Sequence, residues 1–131
     1  VTFPSASDGG CGSSSYNGVD QTTPISNTNT GSGSSSAPSI AVTSVVGEMV
    51  TDAVGASGDP GAAGAGQTQY FSGSGNFDTA WGKGSYEAGA ASVTMSWANS
   101  VSWAMAAGSL KAAGASASPV RLRRLALLGV G

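Results

Sequence analysis

SVTMSWANSVSWAMAAGSLK, residues 92–111, is the stretch whose reading decides the fold. Val93, Met95 and Trp97 alternate with Ser92, Thr94 and Ser96, the two-residue period of a strand with one face buried. Asn99-Ser100 supplies a turn, and Ser102 to Lys111 resumes the stripe through Trp103, Met105 and Ala107 before Leu110. A helix is the alternative for SWAMAAGSLKAA, since Ala and Met favour it. Gly108 in mid-segment and the strand-like partner just before it favour a second strand.

Working outward, the same signals recur. Ser39 to Val45 (SIAVTSV) sets Ile40 and Val42 against Ala41 and Thr43, and Gly47 beside Glu48 supplies a turn. Glu48 to Ala56 (EMVTDAVGA) is apolar or β-branched on both faces apart from Asp52, as in a central strand. Gln67 to Ser72 is a further strand, entered from the loop GDPGAAGAG, and Trp81 to Glu87 is one interrupted by glycines. Residues 26–38 (SNTNTGSGSSSAP) are of low complexity and read as a flexible loop or linker ending at Pro38. Short strands separated by Gly-rich turns predict an all-β chain, an antiparallel β-sandwich of jelly-roll type.

Composition bounds what such a domain can do. Gly, Ser and Ala fill 65 of 131 positions, and only 30 residues carry large apolar or aromatic side chains. Charged residues make up 9%, against ~25% in an average soluble domain. Residues 1–118 hold two lysines against seven acids, so a phosphate backbone is repelled and nucleic acid is excluded as a partner. His is absent, which removes the commonest metal ligand and the usual general base. Cys11 has no intrachain partner and reads as a free thiol, or as one pairing between chains. The opening VTFPSASDGG lacks an initiator Met, a basic flank and an apolar core, which suggests a mature or truncated start. Four of the five leucines and three arginines crowd the last eleven residues. That run is too short to span a bilayer. A frayed tail is the preferred reading of 119–131 over membrane contact. The expected organisation is a remnant strand or loop over 1–12, a sandwich over 13–113 and a flexible tail over 114–131.

YNGVDQTTPIS (16–26), VVGEMVTDAV (45–54), GAGQTQ (64–69) and EAGAASVTMSWANSVSWAMAAGSLKAA (87–113) together resemble the second half of a β-sandwich module. That module recurs in secreted and cell-surface bacterial proteins. The resemblance covers about residues 13–113. It implies a concanavalin-like or jelly-roll sandwich on an exported protein, extracellular or at the cell surface, with no catalytic residues to carry over. The chain departs from the module at its front, where opening strands rich in Val and Thr are reduced to VTFPSASDGGCGSSS. A sandwich without those strands has an edge that invites another chain to pair with it. Self-association, or pairing with another segment of a larger surface protein, is the partner this predicts.

The acids Asp8, Asp20, Glu48, Asp52, Asp59, Asp78 and Glu87 are scattered. Asp78 and Glu87 are the one pair considered for a glycosidase-like role. Asp20 in VDQTT reads as a turn residue whose carboxylate caps backbone N–H groups. No nucleophile elbow, phosphate loop or calcium loop occurs, so no catalytic residue, metal site or cofactor is expected. The one stretch with binding character is GSGNFDTAWGKGSYEAG, residues 73–89. Read as an aromatic loop, it offers Phe77, Trp81 and Tyr86 for stacking on sugar rings. Asn76, Asp78 and Lys83 would hydrogen-bond the hydroxyls. Trp81 as a plug closing the end of the sandwich is the competing reading. Trp97 and Trp103 belong to the core. The leading expectation is a non-enzymatic structural or adhesive module; a carbohydrate-binding module is the alternative, and a hydrolase comes last.

Overall fold

A computed structural model describes residues 12–75 and 79–114. Its elements are seven strands: β1 (Ile25–Ser36), β2 (Ser39–Val42), β3 (Met49–Ala56), β4 (Thr68–Ser74), β5 (Trp81–Ala88), β6 (Val93–Ser96) and β7 (Val101–Leu110). All pairings between them are antiparallel. They form a five-stranded sheet, in the order β1-β7-β3-β5-β4, and a two-stranded sheet, β2-β6. The architecture is all-β and sandwich-like. Residues 102–110 lie in β7, not in a helix.

The alternation in 93–97 has the consequence expected of it. Val93, Met95 and Trp97 turn inward with Ile40 and Val42, while Val50, Val54, Met105 and Ala107 face them from the large sheet. Val50 and Met95 have no exposed surface. The segment before β4 widens the small layer: Ala63 bridges to Trp97, and the amides of Gly64, Ala98 and Asn99 bond across this seam. The nine inward residues form one core between the two layers.

Residues 26–38 correct the expectation of a loop. Ile25–Ser36 is the longest strand among the described residues, paired with β7 from Ile25 opposite Leu110 to Ser36 opposite Val101. It lacks an apolar alternation because its inward positions carry little side chain. A Cβ on Gly31 would lie 2.7 Å from Ile40 Cγ2, and one on Gly33 would lie 2.9 Å from Trp103 Nε1. Those two side chains fill the space that β1 leaves. Asn29, also inward, donates from Nδ2 to the Ala41 carbonyl at 2.8 Å. Bulges at both ends, near Ile25/Asn27 and Gly33/Ser36, bend the strand.

The turn at Gly47, with φ +96°, is a corner between layers rather than a hairpin, since β2 lies in the small sheet and β3 in the large one. Asp20 acts as anticipated. Its Oδ1 accepts from the amides of Thr22 (2.8 Å) and Thr23 (3.0 Å), and its Oδ2 pairs with Lys111 Nζ at 3.2 Å. The Asp20 amide also donates to the Lys111 carbonyl, so this turn fastens the approach to β1 onto the end of β7. Residues 1–11, including Cys11, and residues 115–131 lie outside the described residues.

Candidate functional site

The predicted aromatic loop does not come together as a loop. β4 runs to Ser74 and β5 starts at Trp81, and Asn76, Phe77 and Asp78 lie outside the described residues. Trp81, Lys83 and Tyr86 all sit on β5. Side chains alternate along a strand, and the register places Trp81 opposite Ala56 and Lys83 opposite Val54, on the side facing the small layer. Lys83 is 7% exposed. Its ammonium donates to the Gly61 carbonyl at 2.7 Å, pairs with Asp59 Oδ1 at 2.6 Å, and lies 5.5 and 5.8 Å from the ring centroids of Trp81 and Trp97. It cannot reach a sugar on the outer surface. Tyr86 faces the opposite way. Of the described members, Trp81 and Lys83 are thus on one face of the sheet and Tyr86 on the other.

On the inner side, Asp52, Glu48, Lys83 and Asp59 are committed to internal partners. Asp52 Oδ1 accepts from the Ser85 amide (2.6 Å) and Ser85 Oγ (2.7 Å), and Oδ2 accepts from Trp97 Nε1 (2.9 Å). Burial pushes the Asp52 carboxyl above its ordinary value against these three donors. Glu48 Oε2 accepts from Ser109 Oγ (2.6 Å), Ser44 Oγ (3.1 Å) and the Val45 amide (3.2 Å). The Ser109 bond is the main reason its carboxyl is held low. The Lys83 bond, then the Gly61 amide, holds Asp59 low. Among the described residues no buried side-chain N or O lacks a partner.

The outer face of the five-stranded sheet is a different surface. Its positions, read across the strands, are Thr30, Ala106, Ala53 and Gly84 in one rank, with Thr28, Gly108, Thr51 and Tyr86 in the next. Outward positions of a sheet with one wet face ordinarily carry charged and polar groups. Here they carry methyls, hydrogens and hydroxyls. Tyr70 reaches over this floor from β4. A bulge between Gln69 and Phe71 admits it as an extra residue. A Cβ on Gly84 would meet its hydroxyl at 2.7 Å, so glycine at this position lets the ring cross β5. The Tyr70 hydroxyl then donates to the Asp52 carbonyl at 3.1 Å. Its ring stacks on Tyr86, with centroids 6.3 Å apart and planes at 24°. Partial burial raises the Tyr70 hydroxyl above its usual value.

Three hollows of about 530, 390 and 600 Å³ lie on this face, and Ala53 lines all of them. Tyr16 and Ser14 border the middle one opposite Thr28 and Thr30. Of these residues the sequence reading singled out Tyr86 alone. The signal for the rest was available: Thr51, Ala53 and Gly55, and Ala104, Ala106 and Gly108, hold the outward positions of two central strands without a single charge. Tyr16 and Tyr70 could not be found that way, because a coil residue and a bulge have no periodicity.

No protein-family model matches the chain, and neither the curated proteins nor the solved structures include a match.

Proposed function

We propose that the chain is a non-catalytic structural or adhesive module of an exported bacterial surface protein, and that it associates with neighbouring chains by strand pairing at the outer edge of β1. The carrying observation is that edge. β1 is twelve residues long, contains no charge and no proline, and has β7 on one side with no strand on the other among the described residues. Edge strands of monomeric proteins are ordinarily blunted by lysine, proline or shortness. This one has terminal bulges alone, and between them Asn27–Gly33 keeps regular pairing geometry. Commitment of Asp52, Lys83 and Glu48 to internal partners supports a module without proton-transfer chemistry. The Gly/Ser/Ala-rich composition and the resemblance to secreted modules support an exported setting.

Light scattering on a chromatographic column over a concentration series tests the pairing. A mass above that of one chain, rising with concentration, is expected. Asn27→Lys/Ser34→Lys places two exposed like charges along the edge, which should return the mass to that of a monomer without altering the unfolding curve. A monomer at every concentration, or association indifferent to both lysines, overturns the proposal.

A further inference from the structure

We infer that the outer face of the five-stranded sheet is a binding trough for an uncharged, hydroxyl-rich polymer, a neutral polysaccharide. The three hollows share Ala53 as a lining residue and adjoin one another along this face. The floor is exposed and low, with Ala53 directly opposite Ala106 on one side and Gly84 on the other. Nothing lies within 4 Å of where a Cβ on Gly55 would stand. From Thr30 to Gly84 the floor crosses four strands, about 14 Å at ~4.8 Å per strand. It suits a chain lying flat.

The chemistry of the walls selects the ligand. Ser14 Oγ donates to the Tyr16 hydroxyl at 3.0 Å, and Thr51 Oγ1 donates to the Ser85 carbonyl at 3.2 Å. Tyr16 must then be the donor in its 3.0 Å bond to Thr51 Oγ1, and Tyr70 donates to the Asp52 carbonyl. Thr51 Oγ1 also lies 3.4 Å from the Tyr70 hydroxyl, so its oxygen is already surrounded by Tyr16, Tyr70 and the Ser85 carbonyl. The Ser14, Tyr16 and Tyr70 hydroxyls have spent their protons inside the protein, yet each of these three oxygens keeps a lone pair. The row presents acceptors, and the matching ligand brings donors. Sugar hydroxyls do, while the C–H faces of the rings suit the Tyr70 and Tyr86 aromatics. Charge excludes the ionic alternatives. Asp52 and Lys83 touch the trough, but their charged ends lie on the inner side, bonded to Ser85 and Trp97 or to Asp59. No other Asp, Glu, Lys or Arg lines the three hollows. A carboxylated or sulfated polymer would leave its charge without a partner. This trough is distinct from the β1 edge, and its occupancy does not require assembly.

Affinity electrophoresis of the full chain in gels containing xyloglucan, galactomannan or hydroxyethylcellulose tests the inference, with polygalacturonate as the charged comparison. At least one neutral polymer should retard the protein. Ala53→Ile/Ala106→Ile raises the floor at two facing exposed positions and should weaken that retardation by about tenfold or more. Ser14→Ala, which removes one exposed acceptor at the border of the trough, should weaken it less. Thermal unfolding of both variants confirms that they fold. Retardation by polygalacturonate alone, by none of the polymers, or undiminished in both variants overturns the inference.

Discussion

Asp52 is the residue on which the two layers are most closely matched. It faces Val54 and Val50 along its own strand, and its three donors come from β5 and from Trp97 beside β6. Both carboxylate oxygens are acceptors, so the site has no room for a second donor. Asp52→Asn keeps the shape but turns an amide N–H₂ toward an N–H, whichever way the amide is flipped. Leaving a buried donor unpaired costs about 1–3 kcal/mol. Denaturant unfolding of Asp52→Asn should show a loss of that size, larger than that of Ser85→Ala, which leaves the Ser85 amide and Trp97 bonds in place. An equal or smaller loss in Asp52→Asn would contradict the description of Asp52 as an acceptor at both oxygens.

At the scale of elements, β6 and β7 were legible because Val93, Met95, Trp97, Met105 and Ala107 alternate with small polar or exposed residues. β3 was legible for a different reason: Glu48 to Ala56 is apolar or β-branched on both faces apart from Asp52, as in a central strand. β1 was not. An edge strand that borrows its inward bulk from Ile40 and Trp103 needs glycine where other strands need valine, and its sequence then has the composition of a linker. The site was illegible for a related cause: Trp81 and Lys83 are polar-looking neighbours of glycine, but the pairing of β5 with β3 turns them inward. Glycines on the two faces should therefore respond oppositely. Gly31→Val would drive its methyls into Ile40 and should destabilise by about 1–3 kcal/mol, the cost of overpacking. Gly55→Ala enters open space in an extended strand and should stabilise by about 0.4–1 kcal/mol by reducing the freedom of the unfolded chain. Paired denaturant melts check the contrast; similar signs for the two would contradict the packing described for β1.

For the molecule as a whole, acid is the informative stress. The Thr23 and Thr22 amides, followed by Lys111, hold the Asp20 carboxyl down to about 2, and Glu48 and Asp59 are also lowered. A group whose folded pKa lies below its unfolded value of ~4 contributes stability above that value and loses it as pH falls through the folded one. Asp52, raised by burial, works the other way: its contribution is complete at low pH and declines as pH rises through its folded value. The three lowered groups outnumber it, so the melting temperature should fall between about pH 4 and pH 2. Asp20→Asn keeps an acceptor for Thr22 and Thr23 but has no proton to take up. Its melting temperature should change less over that interval than that of the unaltered chain. Parallel slopes would remove Asp20 from the acid response.

β7 is the last of the seven strands, yet it lies between β1 and β3. Until it arrives, β1 has no partner strand among the described residues and the large sheet is divided. A polypeptide delivered amino end first, from a ribosome or through a translocation channel, therefore holds β1 unmatched while nearly all of the remaining domain is threaded out. Closure between such distant segments is slow. The uncharged rim of β1 is then exposed to neighbouring nascent chains earlier, and on both sides, so any pairing between copies must compete with this final step of self-completion.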